Sequence, residues 1–333
     1  MRVFGGQPRR KKPKWRLWTG HGSCGTRARL GAVGIVNAGT LARSGEARER
    51  DYCRVLEEGH VLFFPQSPYS LPPEDRAFLL EQRQTGAVYH KNIAYRPGSD
   101  RLSGVARATR EDLDRLREIL KRHSETVVRT TAELLPRYAP RWKVDFASFR
   151  PQEEAGRPLS RHARNDLLHV DSFPTRPTGG DRIFRAFTNI NPSVPRIWRT
   201  GETFEELAGR FAVSSGLLER AMQPGLARRV TRAAASVGLP VTARPAYDEF
   251  MHRFHNFLKE SDEYQDTARS ERLSFPPGSG WMVFTDMVSH SVLSGQYALE
   301  QTFLIARDSL ALPQKAPIAI LERLAGRSLT ESA

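Results

Sequence analysis

Asp166-Leu167-Leu168-His169-Val170-Asp171-Ser172-Phe173-Pro174 is the stretch that decides how this chain is read. Residues two apart on an extended backbone project from the same face. His169 and Asp171 therefore aim an imidazole and a carboxylate at a common point. Leu167 and Leu168 bring the segment out of a core, and the Phe173 to Gly180 loop that follows is rich in proline and glycine. Far downstream, His290 stands between two hydrophobic runs, Trp281-Met282-Val283-Phe284 and Ser291-Val292-Leu293, with a Ser294-Gly295 turn beyond. Two imidazoles and one carboxylate on one face of an octahedron bind Fe(II) and leave three positions open. A lone His-x-Asp is common, and a carbonyl-bonded His169 beside a turn-capping Asp171 is the plainer alternative. The hydrophobic entry, the rim-like loop and the distal histidine together favour a metal site.

The other histidines carry less. His123 and His162 lack comparable context. His252 and His255, three apart in Phe250-Met251-His252-Arg253-Phe254-His255, read as packing residues of an amphipathic helix.

Outward from the motif, hydrophobic periodicity predicts helices over 48–58, 73–84 and 110–135, with Gly59 capping the first. Strands are expected over 60–64, 91–95, 145–150, 181–191, 281–284 and 296–306. Residues 202–235 and 246–265 are mostly helical and look like an insertion. The class is α+β: a double-stranded β-helix (jelly-roll) core with flanking helices and a helical insertion, about 200–270, between core strands. A doubly wound parallel sheet would need regular strand–helix alternation and a Gly-rich phosphate loop, and neither is present. The chain divides into an extension over 1–45, one domain over 46–325 and a tail over 326–333.

The 333 residues carry a net charge of +14 and a mean hydropathy of −0.51. Residues 1–50 hold 12 of the 51 basic and 2 of the 37 acidic residues, leaving 39 against 35 elsewhere. The excess is thus a Gly- and Arg-rich extension, expected to be disordered and without the apolar segment of a signal peptide. It could contact anionic lipid or RNA. No run approaches the roughly 18 apolar residues of a membrane span. Two cysteines, Cys24 and Cys53, fit a reducing, cytoplasmic setting.

Several separated stretches share one resemblance. They are Asn165-Asp166-Leu167-Leu168-His169-Val170-Asp171, Phe173-Pro174-Thr175-Arg176-Pro177, Phe187-Thr188-Asn189-Ile190-Asn191-Pro192 and Arg196-Ile197-Trp198. Phe254-His255-Asn256-Phe257 and Ser289-His290-Ser291-Val292-Leu293-Ser294-Gly295-Gln296-Tyr297 complete the set. Together they resemble the Kdo hydroxylase family of Fe(II)/2-oxoglutarate-dependent dioxygenases, over about residues 50–325. The resemblance implies an iron held by His169, Asp171 and His290, with 2-oxoglutarate and O2 as cosubstrates. It implies hydroxylation of carbon 3 of the Kdo sugar in Kdo–lipid A to give Ko, with release of succinate and carbon dioxide. The implied partner is an anionic glycolipid met in the cytoplasm or at the cytoplasmic face of the inner membrane, not a nucleic acid.

Enzymes of this kind often anchor 2-oxoglutarate with an arginine about eleven residues after the distal histidine. Gln301 stands there instead, and Arg307 lies six residues further, roughly 20 Å along a strand. Arg185, assisted by Asn189 of the same parity, is the favoured anchor. Arg176, Arg182, Arg196 and Arg199 are candidates for substrate contact, and Trp198 and Trp281 for pocket walls or core. The rivals are an oxygenase of another small molecule, and a basic nucleic-acid- or membrane-binding protein with structural histidines.

Overall fold

The computed structural model describes residues 33–41, 44–82, 92–105, 108–223 and 244–330. One sheet runs β1 (Ile35–Asn37), β2 (Val61–Phe64), β9 (Gly280–Phe284), β6 (Arg182–Asn189), β11 (Ala298–Ile305), β5 (Trp142–Arg150), β3 (Ile93–Arg96) and β4 (Arg101–Ser103). The other runs β10 (Val288–Ser294), β7 (Arg196–Thr203) and β8 (Glu271–Phe275). His169 adds an antiparallel bridge to His290, on β10. From β5 onward the chain passes between the sheets, so the small sheet lies over the β9–β6–β11–β5 part of the large one. This is the jelly roll expected from the pattern.

Period-two alternation sets what each face meets. Phe187 of β6 and Trp281 of β9 turn inward and meet Trp198 of β7, with ring centroids 5.1 and 5.6 Å from it. Phe63, Leu273, Phe275, Val283 and Val292 complete this inner core. On the outer face of the large sheet, Ala147, Phe149 and Leu299 pack under α2 (Pro73–Glu81) and α3 (Arg110–Leu134) through Phe78, Leu116, Ile119 and Leu120. Thr109 caps α3 by accepting from the Asp112 N–H at 3.1 Å. α1 (Gly45–Glu57) joins the larger core through Tyr52, Cys53 and Leu56. The insertion supplies α4 (Phe204–Phe211), α5 (Leu217–Met222), α6 (Ala246–Glu260) and α7 (Asp262–Thr267), between β7 and β8. α8 (Pro317–Ala325) follows, beyond the last element expected from the sequence.

Three outcomes differ from the sequence reading. β7 and β8 are not expected from the pattern, because Arg196-Ile197-Trp198-Arg199-Thr200 looks too charged for a buried strand. Arg196 is nonetheless fully buried, with Glu154 at 3.3 Å as its counter-charge. The His-x-Asp segment is extended but is no regular strand, since only His169 forms a bridge. Ile35–Asn37 pairs in parallel with β2, inside the stretch expected to be disordered. Residues 1–32 of that stretch, 224–235 of the helical stretch and 331–333 of the tail lie outside the described residues.

His123, on α3, is buried with an unpartnered Nδ1. Burial pulls its pKa down to about 4. Between pH 6.5 and 4 the unfolded chain binds a proton that the folded chain refuses, so stability falls with pH across that window. The expected loss from this group is about 2 kcal/mol between pH 7 and 5. Urea titrations at both pH values should show His123→Leu shrinking the pH dependence by that amount. Equal dependence in both proteins would refute a buried neutral His123.

Candidate metal centre

The bridge between His169 and His290 is reciprocal. Each main-chain N–H donates to the other residue's carbonyl, at 3.1 and 2.9 Å. The pair places both rings on one side, with centroids 4.8 Å apart. The His169 Nδ1–H donates to the Leu167 carbonyl at 2.7 Å and the His290 Nδ1–H to the Val288 carbonyl at 3.0 Å. A carbonyl can only accept, so each neutral ring keeps its Nε2 lone pair free for a metal. The Asp171 N–H donates to the Thr285 carbonyl at 2.8 Å, which fixes the third donor. Asp171 Oδ1 lies 3.5 Å from His169 Nε2 and 3.9 Å from His290 Nε2. One donor atom from each residue falls within 4.8 Å of the others.

The electrostatics suit a cation. Burial lowers the pKa of both histidines, so they are neutral ligands. Burial alone would raise Asp171, but Arg185 and the two imidazoles hold its carboxyl well below the usual range. Trp198 stacks on the His290 ring at 5.3 Å and 20°. His255 meets the His169 ring edge-on at 4.8 Å.

The triad opens into a cavity lined also by Arg150, Arg185 and Arg196. All three point inward by strand parity, and buried carboxylates answer them. Arg185 donates to Glu300 at 2.6 Å and lies 3.1 Å from Asp171 Oδ2. Arg150 donates through Nε to the other Glu300 oxygen at 2.9 Å. Arg196 contacts Glu154 and donates to the Gly295 carbonyl at 2.9 Å. Burial, then the neighbouring Arg150, pulls the Arg196 pKa down to about 10, which still leaves it charged at neutral pH. Arg185 Nε, Arg196 Nε and Trp198 Nε1 are buried donors without partners. Buried polar groups are normally bonded, so unpartnered donors around one cavity fit a polar ligand. Iron and a dicarboxylate add equal and opposite charge to this paired lining.

The other candidates fall elsewhere. Gln301 has the opposite parity to Glu300. It faces outward and donates to the Asp145 and Thr302 carbonyls, both at 2.9 Å. Asn189 is consumed by the Val194 and Phe275 carbonyls and by the Asn191 N–H. Neither lines the cavity. Arg182 is sealed against Asp286 with no exposed surface, so it cannot meet a substrate. Arg199 faces the insertion and donates to Ser270 Oγ and to the Gln265 carbonyl. Arg176 pairs with Asp145 and lies over Phe146 and Phe173, outside the cavity lining. Sequence reasoning misses Arg150, Glu154 and Glu300. Glu300 in an apolar strand is the available signal, because a buried carboxylate needs a buried cation.

A jelly roll with two histidines and one carboxylate at the mouth of an arginine-lined cavity defines the class: a non-heme iron, 2-oxoglutarate-dependent dioxygenase. The family described as 3-deoxy-D-manno-oct-2-ulosonic acid (Kdo) hydroxylase matches residues 41–328, and the chain belongs to that family. It resembles solved structures of the Kdo hydroxylase KdoO, a non-heme Fe(II) alpha-ketoglutarate-dependent dioxygenase. The complex with alpha-ketoglutarate and Fe(III) is 36% identical, with a TM-score of 0.76 over 89% of this chain and 97% of that one. The cobalt(II) complex is 37% identical, with a TM-score of 0.77 over 90% and 98%. The complex with succinate and Fe(III) is 36% identical, with a TM-score of 0.76 over 90% and 98%. Comparison with curated proteins returned no match.

Proposed function

We propose that this chain hydroxylates carbon 3 of the Kdo sugar of Kdo–lipid A, consuming 2-oxoglutarate and O2 and releasing succinate and carbon dioxide. The observation that carries this reading is the convergence of His169, Asp171 and His290 beside Arg185 in a chain of the Kdo hydroxylase family. His169, Asp171 and His290 would hold Fe(II), which when bound supplies oxygen activation coupled to 2-oxoglutarate decarboxylation. The chain's own residues bind and orient. Arg185 meets the distal carboxylate of 2-oxoglutarate, and Arg196 faces the anionic sugar. Trp198 and Phe187 wall the cavity against water. The catalytic unit is 46–325, with 200–270 as an insertion and 1–45 and 326–333 outside it.

Among the described residues no helix is long and apolar enough to cross a membrane. An amphiphilic glycolipid substrate supports a reaction at a membrane surface, in this reading the cytoplasmic face of the inner membrane, which the enzyme would meet peripherally.

Mass spectrometry of Kdo–lipid A incubated with protein, iron, ascorbate and 2-oxoglutarate should show one added oxygen on Kdo. Unmodified Kdo beside continued 2-oxoglutarate turnover would refute the substrate while keeping the reaction class. Arg185→Gln should raise the KM for 2-oxoglutarate about 10- to 100-fold, the range of a lost charge-assisted hydrogen bond. An unchanged KM would move the anchor to Arg150.

A further inference from the structure

The segment carrying His169 and Asp171 is held on one edge only by strand pairing. His169 exchanges both main-chain bonds with His290, and Asp171 donates to Thr285. In an antiparallel ladder alternate residues direct their peptide groups to opposite edges. Leu168 and Val170 therefore turn theirs outward, where no strand pairs with them among the described residues. An extended segment with one open edge slips and frays. Here that would move two metal ligands.

Side chains of the insertion stand in for the missing strand. The Gln265 carboxamide, on α7, accepts from the Leu168 N–H at 2.9 Å and donates to the Leu168 carbonyl at 2.9 Å. This reproduces both bonds of a ladder residue. A third bond, to the Leu258 carbonyl at 2.7 Å, ties the amide to α6 and fixes which end is nitrogen. His255, on α6, donates through Nδ1 to the Val170 carbonyl at 2.8 Å, between the two ligands. The third ligand is reached too: the Tyr264 hydroxyl bonds Ser289 Oγ at 2.6 Å, one residue before His290. Gly201 permits this approach, since a side chain there would meet Tyr264 and Ser289 at 3.3 Å. α7 is braced in turn by Arg199, whose guanidinium donates to the Gln265 carbonyl at 3.1 Å.

We propose that the insertion between β7 and β8 is the mount of the metal centre, with Gln265 and His255 as positioning residues that hold the His-x-Asp segment in ligand geometry. The proposal rests on the reading of His169, Asp171 and His290 as the metal ligands. It requires neither residue to touch metal or substrate. Groups that orient ligands from behind typically govern metal affinity by about 10- to 100-fold.

The test is cobalt(II) titration of the metal-free full chain, followed by its visible absorption, with thermal melts as a check on folding. Gln265→Leu should weaken cobalt binding at least about tenfold and alter the ligand-field bands. His255→Leu should do the same, and His255→Asn, which keeps a donor near the Nδ1 position, should restore affinity and spectrum. If Gln265→Leu fails to fold, the two His255 variants decide between the outcomes. Folded variants that bind cobalt as tightly as wild type, with unchanged bands, would overturn the mount. So would a His255→Asn no better than His255→Leu. A wild-type chain that binds no cobalt would instead overturn the underlying metal reading.

Discussion

Asp171→Ala should abolish metal retention and 2-oxoglutarate turnover together. Asp171 is the one anionic donor of the set and the partner of Arg185 at 3.1 Å. Removing it takes the one negative ligand from the cation and leaves Arg185, still paired with Glu300, beside the vacated position. Truncating one member of a buried charge pair in a binding site costs about 2–5 kcal/mol of binding, which converts to roughly 30- to 4000-fold in affinity at 1.4 kcal/mol per tenfold. Cobalt(II) or Fe(II) titration should show a loss near 1000-fold, with turnover below detection. The pH dependence has a definite sign. Asp171 stays ionised far below the ordinary carboxyl pKa, and burial lowers both histidines. Protons then compete for the site only below the ordinary histidine pKa of about 6.5. Wild-type metal affinity should be flat from pH 8 to 6.5 and fall only in more acidic solution. An Asp171→Ala protein that holds cobalt like wild type would remove Asp171 from the ligand set.

The clustering of the triad is legible in the sequence because it depends on short-range parity. His169 and Asp171 share a face in any extended conformation, and His290 sits in a hydrophobic run that could only be a core strand. What hides the rest is charge inside the barrel. Arg150, Arg196, Glu154 and Glu300 are buried in reciprocal pairs, and a single sequence gives no pairing partners. Strand β7 therefore looks like surface. The 2-oxoglutarate side is hidden as well: counting from His290 reaches Gln301, which β11 alternation turns outward, while its neighbour Glu300 turns inward against Arg150 and Arg185. Arg185 sits where parity places it, because β6 is regular over its whole length. His255 reads as a packing residue on a helical face. It does pack against His169, but its Nδ1 bond to Val170 depends on a tertiary contact 85 residues away.

Arg182→Leu should be among the most destabilising single changes in the chain. Arg182 and Asp286 form two hydrogen bonds, at 2.8 and 3.1 Å, in full burial, with the guanidinium 4.1 Å over the Phe284 ring. The pair anchors the turn between β9 and β10, and Thr285 of that turn receives the Asp171 N–H. Deleting the cation strands a carboxylate in low dielectric, a change that costs about 3–5 kcal/mol and lowers the melting temperature by roughly 4–7 °C in a chain of this size. Burial already raises the Asp286 pKa despite Arg182. Without Arg182 it rises further, so the folded variant takes up a proton that the unfolded chain releases. The variant therefore regains stability as pH falls from 7.5 toward 4, and its deficit against wild type shrinks. Arg182→Leu combined with Asp286→Leu should recover most of the loss, because no uncompensated charge remains. Urea unfolding of the three proteins at pH 7.5 and 5.5 decides the matter. A deficit that is the same at both pH values, or one that the double variant does not relieve, would mean that Arg182 acts through packing on Phe284 and not through its charge.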